Sequence, residues 1–283
     1  MTTQLTKNQI DGYQQSGFIH PVDVLDPKET AHYRQRFETY ETQHGGWYEL
    51  SKGQKLYLLQ TWVAELARHR NVLDAVEGVL GPNILCWGCS LFVKEPRNPH
   101  FVSWPQDSAY WGLSSANVVT AWIALSPATK ANGAMKMARG SHRLESVPHH
   151  DTLHEHNLLT RGQEIAMEVD ESDAAWVELA AGQASLHNIR TIHASEPNES
   201  DHRRIGVAIR YIAPHVRQVN AEQDSAWLVR GVDEHGNFSH ETPPVADMDP
   251  AAVQEHTRVM AIRQGVLYQG VQGQPAHTAI GEN

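Results

Sequence analysis

A chain of 283 residues with 40% hydrophobic side chains can bury a substantial core, and its length suits one large domain or two small ones. Its formal charge of −10 comes from acidic residues that are spread rather than blocked, which argues against a nucleic-acid surface and favours a small-molecule partner. No apolar run reaches the roughly 18 residues a membrane helix needs, and Met1 to Lys7 carries no signal-peptide core, so a cytoplasmic protein with no membrane partner is expected. Composition leaves the oligomeric state open.

Thr6 is placed to cap a short helix over Lys7 to Gln15, after which Gly17-Phe18-Ile19 reads as a short strand. Asp26-Pro27 opens a second helix, with Tyr33, Phe37 and Tyr40 on one stripe and a stop at Gly45-Gly46. Leu56 to Leu80 reads as two helices broken near His69 to Asn71 and ended by Gly81-Pro82. From Asn83 the period becomes that of strands: Ile84 to Lys94, Val118 to Leu125, Gly133 to Met137, Ile165 to Val169, Trp176 to Leu179, Ala184 to His187, Ile205 to Ile212 and Ser225 to Val229. Asp249-Pro250 starts a last helix, and a loose polar tail is expected from about residue 270.

The short, punctuated strands have the rhythm of an antiparallel barrel rather than of βαβ units. The expected fold is mainly β with flanking helices around a double-stranded β-helix, the jelly-roll or cupin-like core. It is read as one domain, with residues 1–82 as a helical flank, 83–230 as the core and 231–283 as a loop, helix and tail. Cys86 and Cys89 fall in the strand-like run Ile84 to Val93, where i and i+3 face opposite ways, so they read as buried thiols rather than a redox pair.

Two stretches carry chemistry. Trp104-Pro105-Gln106-Asp107-Ser108-Ala109-Tyr110-Trp111 sets a carboxylate among three aromatic rings. Read as a strand, it would point positions 105 and 107 the same way, toward one metal ion, and of these Asp107 can ligate while Pro105 cannot. The second stretch is His193-Ala194-Ser195-Glu196-Pro197-Asn198, with Arg204 eleven positions after His193 (204 − 193) at the start of an apolar strand. Non-haem Fe(II) oxygenases use two histidines and a carboxylate on one face of the metal, leaving positions for an oxo acid and O₂. A buried arginine fork suits the distal carboxylate of such an acid.

These residues resemble the phytanoyl-CoA dioxygenase family of Fe(II)/2-oxoglutarate oxygenases. The resemblance runs through Leu80-Gly81-Pro82-Asn83, Phe92-Val93-Lys94-Glu95-Pro96, Gln106 to Leu113, Thr120 to Leu125, Asn132 to Met135, Gly140-Ser141-His142 and His193 to Arg204. It implies an enzyme of dioxygenase type acting on a small molecule, with Fe(II) held by Asp107 and His193. It also implies that Arg204 clamps the 2-oxoglutarate C5 carboxylate, that Gln106, Trp122 and Ser195 line the co-substrate pocket with Lys55 in the same role, and that Tyr110 and Trp111 shape the substrate mouth. The chain departs from the family pattern where proline replaces the first triad histidine, at Pro105. His100, His142 and His187 each offer a replacement imidazole, and none is assigned the role. Two readings follow: a working oxygenase with an unassigned third ligand, or a metal-deficient relative that binds a small carboxylate or performs non-redox chemistry.

Overall fold

Local chemistry sets the helix starts. Thr6 and Gln9 cap one another ahead of α1 (Lys7–Ser16). Asp26 accepts from the Lys28 and Glu29 amides at 2.7 and 2.8 Å ahead of α2 (Pro27–His44). The computed structural model describes residues 4–47, 54–145, 147–151, 156–159 and 163–267, so the tail expected from about residue 270 lies outside them.

Between α1 and α2 runs β1 (Phe18–Asp23). After α2 a 3₁₀ turn over Leu56–Leu58 leads into α3 (Thr61–Ala67) and α4 (Arg70–Leu80). The strands follow: β2 (Ile84–Lys94), β3 (Val118–Ala124), β4 (Met135–Ala138), β5 (His149–Asp151), β6 (Gln163–Ile165), β7 (Ala174–Val177), β8 (Gln183–Asn188), β9 (His193–Ser195), β10 (Arg204–Ile212), β11 (Ser225–Arg230) and β12 (Ser239–His240). Helix α5 (Pro250–Leu267) ends the described chain.

Seven strands form one sheet in the order β1-β8-β3-β10-β2-β11-β12, and β7-β4-β9 form a smaller sheet facing it. The mainly β core with flanking helices is therefore present as expected, although β5, β9 and β12 are absent from the sequence reading and β6 and β7 begin two residues earlier than their predicted counterparts. The stretch expected to be a strand through Asp107 is instead irregular and ends in a 3₁₀ turn, Asp107–Ala109. Pro105 contributes no N–H, so a regular ladder could not run through it.

Alternation sorts the large sheet into two faces. Ala121, Ile123, Leu186, Ile205, Val207, Ile209 and Tyr211 pack with Phe37, Trp62, Leu66, Val72 and Val76 in the main core, which joins the sheet to the helical flank. The opposite face turns Trp122, Ala124 and Ala208 toward Met135, Met137, Ala175 and Val177 of the small sheet. Polar residues of this inner face, Ser185, His187, Thr120, Ser90, Lys94, Arg204 and Arg210, are buried between the two sheets. No helix among the described residues is long and apolar enough to cross a membrane.

Candidate metal centre and co-substrate pocket

His187, next to last in β8, lies on the inner face opposite Thr120 of β3. The chain then reverses tightly. Asn188 accepts from the Arg190 amide at 2.9 Å, its carbonyl accepts from the Thr191 amide at 2.9 Å, and the Thr191 hydroxyl donates to the Gly17 carbonyl at 2.8 Å. This turn delivers His193 at the start of β9, its ring centroid 5.1 Å from that of His187. His193 Nδ1 lies 2.9 Å from the Thr191 carbonyl, which can only accept, so the proton sits on Nδ1 and the lone pair on Nε2.

The same turn anchors the carboxylate. The Ser108 amide donates to the Ile189 carbonyl at 3.1 Å, and Gln106 Nε2 donates to the Arg190 carbonyl at 3.1 Å. Asp107, between them, meets the two imidazoles: Asp107, His187 and His193 each offer a ligand atom, all within 4.8 Å of one another. Burial raises the Asp107 carboxyl above its ordinary range, opposed by the charges of His193, Arg210 and His149. Burial also holds His187 well below the ordinary imidazole range, with His193 and Arg210 adding to the effect, so its ring is neutral. His187 Nδ1 is buried with no hydrogen-bond partner among the described residues. A neutral buried imidazole with an unpaired nitrogen, beside a second imidazole and a destabilised carboxylate, suits a divalent cation.

His187 is thus the third candidate donor, in place of the residue at position 105. Pro105 does not stand beside Asp107 on a strand; it is buried, and its carbonyl accepts from the His193 amide at 3.4 Å. His142 is engaged elsewhere, Nε2 on the Gln14 carbonyl at 3.0 Å, and His100 packs edge-on against the His156 ring.

Along the inner face lies a second buried cluster. Arg204 is 2% exposed, its guanidinium 5.4 Å from the Trp122 ring, with Nη1 on the Gly133 carbonyl and Nε without a partner. Gly206 makes room for that ring, because a Cβ there would stand 1.9 Å from Trp122. Lys94, the register partner of Arg204, is fully buried and donates to Ser195 Oγ at 2.8 Å and to the Glu196 carbonyl. Burial brings Arg204 down to about 9, and burial with the neighbouring Arg204 charge brings Lys94 down to about 6. A buried guanidinium and a buried amine that can take up a proton, flanked by a hydroxyl and an indole, suit a carboxylate.

Two expected pocket residues are committed elsewhere. The Gln106 amide is saturated by backbone, with Nε2 on the Glu145 and Arg190 carbonyls and Oε1 accepting from Val147, so it braces the loop rather than facing a ligand. Lys55 is buried in a separate ion pair, Nζ 2.7 Å from Glu241 and 2.5 Å from the Ser225 carbonyl. Its neighbour Tyr57 bonds the Cys86 carbonyl, eight residues along β2 from Lys94 (94 − 86), or about 26 Å of strand. Replacing Lys55 with methionine is expected to cost about 3–5 kcal/mol by leaving Glu241 uncompensated, with K55M/E241L recovering most of it. Urea unfolding measures the loss, and 2-oxoglutarate affinity is expected to stay put in K55M.

Tyr110 stacks edge-on against His149 at 4.9 Å, and Trp111 meets Trp87 at 5.4 Å and the Arg210 guanidinium at 5.1 Å. The sequence reading gives His187, Lys94 and Arg210 no assigned place in the site. Their shared signal is parity, since each is a polar residue in phase with the inner face.

The family model described as phytanoyl-CoA dioxygenase (PhyH) matches residues 13–206. A solved structure titled "non-heme monooxygenase; ThoJ apo" is 35% identical, covers 92% of this chain and 98% of its own, and superposes with a TM-score of 0.82. CytC3 with Fe(II) and alpha-ketoglutarate is 21% identical over 88% of this chain and 97% of its own, with a TM-score of 0.63, and shares the fold. A protein of Stutzerimonas stutzeri named "Probable alpha-ketoglutarate-dependent hypophosphite dioxygenase" is 26% identical over 62% of this chain; the match spans 58% of that relative's length.

Proposed function

The chain belongs to the phytanoyl-CoA dioxygenase family, and from that premise we propose that it is an Fe(II)- and 2-oxoglutarate-dependent dioxygenase of hydroxylase type acting on a small molecule. The observation that carries this reading is the convergence of Asp107, His187 and His193 beside a buried cationic pocket. The three side chains would hold Fe(II), His193 through Nε2 because its Nδ1 proton is given to Thr191. Arg204 and Lys94 would receive the C5 carboxylate of 2-oxoglutarate, with Ser195 and Trp122 fixing its approach. Bound together, the metal and co-substrate supply oxidative decarboxylation to succinate and CO₂, coupled to oxygen insertion at a C–H bond.

The protein's own part is placement. The turn after β8 fixes two donors and, through Ser108 and Gln106, the third. Between the sheets, apolar walls from Met135, Met137 and Ala208 keep water from the site. The metal-deficient reading rests on Pro105 alone, and the placement of His187 beside Asp107 and His193 favours the oxygenase reading over it.

Aerobic incubation with Fe(II) and 2-oxoglutarate tests the reading. Succinate formation that requires added Fe(II) is the expected result, and its absence at every metal concentration would reject the oxygenase assignment.

A further inference from the structure

On the inner face of β10, the positions in phase with Arg204 are Gly206, Ala208 and Arg210. Arg210 pairs across the sheet with Thr120, which pairs with His187, so this second arginine stands in the same transverse row as a metal donor. Arg204 is six residues away along the strand (210 − 204), about 20 Å of backbone. The two guanidinium groups therefore serve different places in the barrel.

Arg210 is 9% exposed. Nη1 donates to Ser90 Oγ at 2.8 Å, and the guanidinium sits 5.1 Å from the Trp111 ring. Its charge acts on both Asp107 and His187. No ion pair joins it to a carboxylate among the described residues, and the acid it faces, Asp107, is the one the metal would take. Arg263 of α5, 3.8 Å over the Trp87 ring, adds a second buried positive charge on the same side. Gly88 makes room for both, since a Cβ there would lie 3.2 Å from Arg210 Cδ and 3.3 Å from Arg263 Nη1. With Asp107 given to the metal, a buried guanidinium held by one neutral hydroxyl and an indole face is costly unless an anion completes it.

We propose that Arg210 is the anchor for an oxyanion carried by the substrate, so that the substrate class is a small molecule bearing a carboxylate or phosphonate-type group seated beside Trp111. This deepens the oxygenase reading and rests on it. The same anion chemistry could be offered by the metal-side carboxylate of 2-oxoglutarate, and the test separates the two sources.

Methylphosphonate is the probe, titrated by calorimetry into anaerobic protein loaded with Fe(II) and 2-oxoglutarate, with neutral dimethyl methylphosphonate as control. Wild type is expected to bind the anion and not the ester. Arg210→Gln should weaken methylphosphonate binding at least about tenfold, the scale of one charge-assisted hydrogen bond, while 2-oxoglutarate affinity changes less than about twofold. Retained 2-oxoglutarate affinity also reports that the variant is folded, and Arg210→Lys should keep part of the anion binding. The proposal is overturned if wild type ignores the anion, if R210Q binds it as well as wild type does, if the ester binds equally, or if R210Q loses 2-oxoglutarate as severely as Arg204→Ala. Should wild type bind neither Fe(II) nor 2-oxoglutarate, the oxygenase reading fails; the anion titration on metal-free protein would still judge Arg210.

Discussion

Replacing His187 with alanine is expected to lower Fe(II) affinity by more than about 100-fold and to abolish iron-dependent succinate formation. Loss of a partner merely supporting a metal ligand commonly costs about 10–100-fold, and His187 is placed as a ligand itself. The fold should survive, because alanine removes a buried nitrogen that has no hydrogen-bond partner among the described residues. Iron binding followed by calorimetry, with circular dichroism as the folding control, measures both halves. By the same reasoning Pro105→His is not expected to be needed for metal binding, since Asp107, His187 and His193 each offer a ligand atom.

Arg204→Ala is expected to weaken 2-oxoglutarate binding by about 10–100-fold, the effect of removing a charge-assisted contact from a buried site. Lys94 adds a pH signature. Its amine is brought down to about 6 in the folded protein, against about 10.4 in an unfolded chain. Between those values the unfolded chain holds a proton that the folded protein does not, so this group makes stability rise with pH across the window and fall as pH drops toward 6. A carboxylate arriving beside Lys94 favours the charged amine, so 2-oxoglutarate binding near pH 7 should take up a proton and weaken as pH rises. Calorimetry in buffers of different ionisation enthalpy detects that uptake. It should vanish in Lys94→Met, and its persistence there would move the proton to another group.

Much of this architecture could be read from the chain because its signals are local. The reciprocal cap of Thr6 and Gln9, the Asp26-Pro27 start and the period change after Asn83 each determine their own element. The phase of Ala184-Ser185-Leu186-His187 likewise places His187 on the polar side of β8, since Ala184 and Leu186 enter the apolar core. What the phase cannot give is how near the next strand's first residue returns. That depends on a turn closed by Asn188 with Thr191 and pinned to Gly17, which comes from a part of the chain distant in sequence. Asp107 illustrates the opposite failure. Its part in the constellation was legible, but the strand assumed around it was not there, so the geometry that made Pro105 look decisive did not apply. The resemblance points to Lys55 by position in the chain, whereas burial of Lys94 opposite Arg204 follows from register between β2 and β10.

The central claim is that Asp107, His187 and His193 together hold Fe(II) for 2-oxoglutarate. Its most direct measurement is anaerobic titration of Fe(II) into the protein with 2-oxoglutarate, following the metal-to-ligand charge-transfer absorption that a bound oxo acid gives. The account predicts a band that saturates at one Fe(II) per chain in wild type and is lost in H187A. A wild-type protein that gives no band, or an H187A protein whose band is unchanged, would contradict it.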